Sequence, residues 1–232
     1  SVRAMQTNGT ARNTDRLYRN DYDDKLGHPV FTNVSAEAGI TFEGFGLGVS
    51  VLDANNDNWP DLYISNDYLS RDLLYVNQQN GTFNEEGLTY FGHMSHFSMG
   101  NDVADIDNDG FTDVITVDML PEDLKRRKLM SGANSYDIFQ IALRYGYGHQ
   151  YMRNMLQHNN GDGTYSEIGQ FAGIDKTDWS WAPLLADFDN DGFNDLYITN
   201  GFGKDITDMD FVKFRESRSS SFGSGGQLQK AV

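Results

Sequence analysis

The sequence predicts an all-β chain assembled from four-stranded antiparallel β-propeller blades, about three blades' worth, with one helical insertion. Three observations carry that expectation. An aspartate loop recurs three times, each copy lies between two apolar strand-like runs, and the repeating unit is about 50 residues long, the length of a propeller blade. The composition agrees: 24 glycines but 4 prolines in 232 residues, with short aromatic and β-branched runs between Gly, Asn and Asp clusters.

The loops are Asp53-Ala-Asn-Asn-Asp-Asn-Trp-Pro-Asp61, Asp105-Ile-Asp-Asn-Asp-Gly-Phe-Thr-Asp113 and Asp187-Phe-Asp-Asn-Asp-Gly-Phe-Asn-Asp195. Apolar runs follow each of them (Leu62–Ile64, Val114–Val117, Leu196–Ile198), and Gly48–Leu52 precedes the first. A further element repeats as Arg16–Asn20, Leu74–Asn77 and Met155–Asn159, and leads into Phe31–Val34, Gly81–Asn84 and Gly163–Glu167. Ala-Gly-Ile closes two of the units, at Ala38–Ile40 and Ala172–Ile174. The unit is therefore strand, Asp loop, strand, turn, strand, turn, strand.

Successive loops begin 52 and 82 residues apart, so the middle unit carries about 30 extra residues between its second and third strands. These read as helical over Pro121–Met130, with Pro in the first turn, and over Tyr136–Tyr145, where Ile138, Ile141 and Ala142 fall at helical spacing. The expected organisation is a lead-in over residues 1–15, a partial propeller over 16–214 containing the insertion 119–154, and a flexible polar tail over 215–232. The register begins with the last two strands of one unit and finishes with the first two of another. That is short of a closed ring of four to eight blades, so the expectation is a segment of something longer.

The loop spacing has a chemical meaning. In Asp-x-Asp-x-Asp-Gly-x-x-Asp the side-chain oxygens of positions 1, 3, 5 and 9 converge, and position 7 adds a main-chain carbonyl. The candidate ligands are Asp53, Asn55, Asp57, Trp59 (carbonyl) and Asp61; Asp105, Asp107, Asp109, Phe111 (carbonyl) and Asp113; and Asp187, Asp189, Asp191, Phe193 (carbonyl) and Asp195. An oxygen-only ring suits Ca²⁺ better than Mg²⁺, which demands a strict octahedron. About three Ca²⁺ ions are expected. Gly110 and Gly192 permit a left-handed backbone at position 6, and Asn58 replaces them in the first loop. An EF-hand is excluded, because position 12 is Ile64, Thr116 or Ile198, each inside a strand, rather than a glutamate. Solvated Asp/Asn turns would explain one copy. Three copies in matching strand contexts favour a cation site.

These loops resemble FG-GAP/VCBS repeats, the calcium-loop blades of integrin α-subunit propellers and of cartilage-acidic-protein-like (CRTAC-type) proteins. Gly46–Asp53, Leu74–Asn77, Asn160–Thr164 and Ala172–Ile174 are similar to the second group. Asp118–Pro121, Tyr145–Gly148 and Trp179–Trp181 further resemble large exported VCBS-repeat proteins of Bacteroidetes-type bacteria. The resemblance spans roughly Arg16 to Phe214. It implies a calcium-stabilised propeller of an extracellular or outer-membrane-surface protein, with any export signal outside this segment.

With 34 acidic against 18 basic side chains, the formal charge of −16 argues against nucleic acid as the main partner. There is no cysteine, which removes disulfides, thiol catalysis and cysteine-ligated metals. No apolar run is long enough for a transmembrane helix, and no Walker, Rossmann or nucleophile-elbow motif is present. The reading is a non-catalytic module that binds protein or glycan. An accessory propeller of a polysaccharide-active enzyme and a structural subunit of a cell-envelope assembly stand as alternatives.

Three other features admit simpler readings. His93-Met-Ser-His96 lacks a third ligand for zinc, and Lys125–Lys128 reads as a solvated helix face. Trp179 and Trp181 alternate at strand period, so one should face the core and the other could stack on a sugar. Loops joining strands 2 and 3 lie at the opposite end of a blade from the Asp loops. The insertion is therefore expected on the far face with Tyr90–Phe97 and Asp175–Trp179, gathering Phe139, Tyr145, Tyr147, Tyr151, His93, His96 and Trp179, and that face is expected to meet the partner.

Overall fold

A computed structural model describes residues 3–130, 136–201 and 208–215. A hairpin of β1 (Tyr18–Asp23) and β2 (His28–Asn33) comes first. Then β3 (Gly46–Leu52), β4 (Asp61–Asn66), β5 (Leu73–Asn77) and β6 (Phe83–Glu85) form a four-stranded antiparallel meander. After a short α1 (Gly87–Tyr90) and β7 (Met94–Ser95), strands β8 (Gly100–Ala104) and β9 (Asp113–Val117) start a second sheet. The insertion contributes α2 (Leu124–Leu129), α3 (Tyr136–Arg144) and β10 (Gln150–Tyr151), the last pairing in parallel with β7. The second sheet is completed by β11 (Met155–Asn159) and β12 (Tyr165–Glu167), and the hairpin β13 (Ser180–Ala186)–β14 (Asp195–Asn200) follows.

The chain is thus mostly β, in four-stranded units flanked by two half-units, and the sheets do not close into a ring among the described residues. Residues 3–15 pack onto this frame: Gly9 N donates to Thr41 O at 2.8 Å, and Thr14 bridges Glu43. Two details differ from the sequence reading. The first insertion helix starts at Leu124, not Pro121, because the Asp123 side chain caps it by accepting from Arg126 N at 2.8 Å. Residues 209–215 are helical, and the expected polar tail from residue 216 onward lies outside the described residues. Neither Trp179 nor Trp181 is the core residue of β13. Ser180 is fully buried, its hydroxyl bonded to Thr177, while Trp181 is 48% exposed.

The core is a stack of sheet faces. Tyr63, Leu74 and Val76 of the first full sheet meet Val114 and Tyr165 of the second, with Phe91 and Met94 between them. On its other side the second sheet packs Ile115, Val117 and Leu156 against Leu185, Leu196 and Ile198 of β13–β14. Sheets buried on both faces explain why β4 and β9 read as apolar runs without alternation.

Buried polar groups at the seams form hydrogen-bonded clusters. Tyr63 OH donates to Asp72 at 2.7 Å and lies 3.0 Å from Thr116 Oγ1 of the neighbouring sheet, and Ser98 Oγ donates to the same carboxylate. Asp118 accepts from Ser95 Oγ and from the His96, Phe97 and Met119 amides. Burial pushes Asp72 up to about 6 and Asp118 up to about 7, against those hydrogen bonds. A related pair recurs: Arg71–Glu85 is buried on both sides, and Arg153–Glu167, at the same place in the next sheet, is shared with His93. Both glutamates also accept from a backbone amide two residues on, Gly87 N and Gly169 N.

The Asp118 cluster yields a prediction. In Asp118→Asn the amide NH₂ must replace one carboxylate oxygen and confront N–H donors. The loss should be roughly 2–3 kcal/mol of stability, read by chemical denaturation; an unchanged midpoint would contradict the assigned contacts.

Candidate functional site

Each Asp loop is the connection between the first two strands of a sheet: β3–β4, β8–β9 and β13–β14. Two of its residues adopt the left-handed conformation. Position 6 does so as expected, with φ of 65° at Asn58, 89° at Gly110 and 95° at Gly192. Position 4 does so as well, at Asn56, Asn108 and Asn190, with φ of 58°, 62° and 63°. Asparagine tolerates that region, and its recurrence at position 4 was a legible signal that the spacing argument passed over.

One hydrogen-bond pattern then repeats. The first aspartate accepts from the amides of positions 5 and 6: Asp53 from Asp57 and Asn58, Asp105 from Asp109 and Gly110, Asp187 from Asp191 and Gly192, at 2.7–3.1 Å. The fifth accepts from position 7: Asp57 from Trp59, Asp109 from Phe111, Asp191 from Phe193, at 2.8–2.9 Å. The ninth reaches back to position 2: Asp61 to Ala54, Asp113 to Ile106, Asp195 to Phe188, at 2.9–3.0 Å. In the two complete sheets the ninth carboxylate takes a second amide from the third strand, Asn77 N at 2.7 Å and Asn159 N at 2.8 Å.

These bonds turn the carboxylates inward. Asp105, Asp107 and Asp113 have ligand oxygens within 4.8 Å of one another, as do Asp187, Asp189 and Asp195. Asp109 groups with Asp107 and His158. The first loop contains no such trio of acids among the described residues, because Asn55 stands at position 3; its side-chain oxygen accepts from Asp57 N at 3.2 Å, as Asp189 does from Asp191 N at 3.1 Å. Asp191 lies outside the third trio. Trp59, Phe111 and Phe193, the residues whose carbonyls are the remaining expected ligands, are tied into the loops by their amides, which donate to position 5.

His158 was not singled out from the sequence. Its Nδ1 is 3.0 Å from Asp113 Oδ1 and its Nε2 is 3.8 Å from Asp107. Partial burial lowers its proton affinity, but the bond to Asp113 and the nearby loop carboxylates outweigh this and raise it. The second and third loops are tied side by side, Asn108 Nδ2 donating to Gly192 O at 2.9 Å and Asn194 Nδ2 to Asp105 O at 2.8 Å.

A sequence model of the FG-GAP-like repeat matches residues 53–116 and 137–198, more than half of the chain, and takes in all three loops. The chain belongs to the FG-GAP-like repeat family. No curated protein matches it.

In this FG-GAP-like chain the insertion contacts the connections leading into first strands, at the blade ends away from the Asp loops. Beyond the β7–β10 pairing, Arg126 pairs with Asp178, Asp178 N donates to Leu120 O, and Tyr147 OH donates to Arg3 O at 3.0 Å beside Glu43. Phe139 stacks on Tyr151 at 5.9 Å, and Tyr151 packs edge-on to His93. Of the aromatic residues expected on that face, Tyr147 is buried and anchors the insertion, whereas Tyr145 and Tyr151 are exposed. His93 is committed to Glu167 and Arg153, and His96 stacks on Phe97. The basic run is not wholly a solvated face, since Arg126 is an anchor.

The ninth-position contacts make a prediction independent of any ion. Asp113→Asn forces one oxygen to become an NH₂ facing Ile106 N or Asn159 N, so it should cost roughly 2–3 kcal/mol even in chelator. Urea denaturation with excess EDTA measures it.

Proposed function

We propose that the chain is a non-catalytic, calcium-stabilised propeller segment of an exported or cell-surface protein, and that it binds a protein or glycan on the face carrying the insertion. The observation that carries the calcium reading is the threefold recurrence of one loop conformation and hydrogen-bond pattern, with converging carboxylates in the second and third loops. Asp105, Asp107, Asp109 and Asp113 would hold one ion, Asp187, Asp189, Asp191 and Asp195 a second, and Asp53, Asn55, Asp57 and Asp61 a third. The carbonyls of Phe111, Phe193 and Trp59 complete the rings. Bound Ca²⁺ would supply charge neutralisation among eleven loop aspartates and rigidity at the strand 1–2 turn. The protein's own part is to aim the oxygens through backbone N–H bonds.

The binding reading rests on a cavity of about 330 Å³ lined by Leu69, His96, Tyr136, Phe139, Gln150 and Tyr151, with Ile138 and Met152 at its walls. An apolar, aromatic lining with a few polar groups is the composition of recognition sites. The resemblance to cartilage-acidic-protein-like exported proteins supports an extracellular or outer-membrane setting. Among the described residues no helix is long and apolar enough to cross a membrane.

Two outcomes are expected. Calorimetric titration should detect Ca²⁺ binding at three sites with the Asp53 loop weakest, because it has three carboxylates where the others have four. Saturating Ca²⁺ at about 100 times Kd should stabilise the fold by about 2.7 kcal/mol per site; equal melting in Ca²⁺ and chelator would refute the reading. Deleting residues 132–148 should abolish capture on a glycan and protein array while leaving the Ca²⁺-dependent melting shift intact. Retained capture would move the partner site elsewhere.

A further inference from the structure

The second Asp loop departs from the other two at position 3. In the first and third loops the side-chain oxygen of that position turns back to the position-5 amide, Asn55 to Asp57 N at 3.2 Å and Asp189 to Asp191 N at 3.1 Å. Asp107 makes no such bond among the described residues; its Oδ2 lies 3.8 Å from His158 Nε2 instead. His158 belongs to β11, the third strand of the same sheet. Its counterpart in the first sheet is Val76, and β14 has no third strand beside it among the described residues. An imidazole therefore joins the second loop and neither of the others.

The ring has one nitrogen engaged and the other aimed. Nδ1 is 3.0 Å from Oδ1 of the completely buried Asp113. An ionised carboxylate only accepts, so Nδ1 carries the hydrogen, and the Nε2 lone pair of the neutral ring faces the loop. Its neighbours there are Asp107 and Asp109, and ligand atoms of all three lie within 4.8 Å of one another. The 3.8 Å between Nε2 and Asp107 is too long for a hydrogen bond. Two donors at about 2.1 Å from one ion are at most about 4.2 Å apart, so the same distance suits a shared ion. An imidazole that gives its other N–H to a carboxylate is the arrangement that orients metal-ligating histidines. The loop is braced as well, since Asn108 and Asn194 tie it to the third loop.

We propose that the second loop is a mixed nitrogen–oxygen site, where His158 Nε2 joins Asp107 and Asp109 on a divalent transition-metal ion of the Zn²⁺ or Mn²⁺ class, preferred there over Ca²⁺. The proposal rests on the reading that the loops hold cations, and it changes the ion of one of them. Ca²⁺ is a hard cation that takes oxygen donors. An imidazole nitrogen favours first-row transition metals, so the extra donor shifts selectivity toward them. The ion takes the place of any proton on Nε2, which leaves to solvent. The first and third loops have no nitrogen donor among the described residues and keep the oxygen chemistry that suits Ca²⁺. The competing arrangement is a charged His158 that bridges Asp107 and Asp113 and itself stands in for an ion.

The test uses the whole chain, stripped of metal and then saturated with Ca²⁺. Calorimetry should still detect one equivalent of Zn²⁺ binding, and pulsed EPR of one equivalent of bound Mn²⁺ should show coupling to an imidazole nitrogen. His158→Gln keeps a side-chain N–H for Asp113 but lacks the ring nitrogen. It should abolish the coupling and raise the Zn²⁺ Kd at least about tenfold, with Ca²⁺ binding at the first and third loops unchanged. The wild-type EPR spectrum needs no variant, so a folding defect in His158→Gln would leave the proposal testable. An oxygen-only Mn²⁺ spectrum, no Zn²⁺ binding over Ca²⁺, or equal weakening of Zn²⁺ and Ca²⁺ in the variant would each overturn it. A nitrogen-coupled Mn²⁺ without Ca²⁺ binding at the first and third loops would support it and refute the calcium reading alone.

Discussion

The structure hangs on the carboxylate that ends each Asp loop. Asp61 and Asp113 are completely buried, and each spends one oxygen on the amide at the start of its own loop and the other on the third strand. A single side chain thereby fixes the loop's curvature, the depth of the second strand and the register of the third. A carboxylate has about four acceptor sites, so these bonds leave lone pairs directed at the loop centre, where Asp105 and Asp107 converge on Asp113. The same group that makes the blade cohere also makes the donor set. A cation held there would be coupled to folding through it, as wherever a site is assembled only in the native chain.

At the other end of the blades, buried carboxylates of a different kind do the joining. Asp72 and Asp118 collect hydroxyl and amide donors from the connection that leads into the next sheet. The insertion is attached to these already fixed connections, through the β7–β10 pairing, the Arg126–Asp178 pair and Tyr147 against Arg3 and Glu43. Its aromatic surface is presented from a rigid frame. That lowers the ordering cost which recognition by a loose loop would incur.

Much of this was legible because repetition averages out local ambiguity. The four-strand unit, the loops, the position of position 12 inside a strand and the place of the insertion all follow from aligning three copies. What escaped was set by tertiary contacts with no sequence period. The Arg71–Glu85 and Arg153–Glu167 pairs join residues 14 apart in both sheets, a spacing that only the paired copies could have revealed. His158 enters the second loop because β11 lies beside β9, while its counterpart Val76 does not signal a polar role. Helix α2 starts three residues late because a side-chain cap at Asp123 outweighs the preference of Pro121 for a first turn. In the Trp179–Trp181 stretch Ser180 is held inside by hydroxyl bonds to Thr177, so that Trp181 is exposed while Trp179 is half-buried.

Charge is divided unevenly between the insertion and the Asp-loop ends of the blades. The insertion 119–154 contains six basic and three acidic residues, a net +3 in a chain of −16, so the rest of the chain carries −19. Eleven of its acids are concentrated in the three loops. Their field attracts cations to one end of the blades and repels anions from it, over a range set by a Debye length of about 8 Å at physiological salt. Since the insertion's contacts lie at the opposite ends of the strands, that repulsion is largely screened there. Two of its six cations, Arg126 and Arg153, are held by acids of the frame, and Arg127 and Lys128 lie in the last turn of α2, where a positive charge complements the helix dipole. An acidic chain thus retains one surface that an anionic or neutral ligand can approach, and its acidity is concentrated where divalent cations would neutralise it.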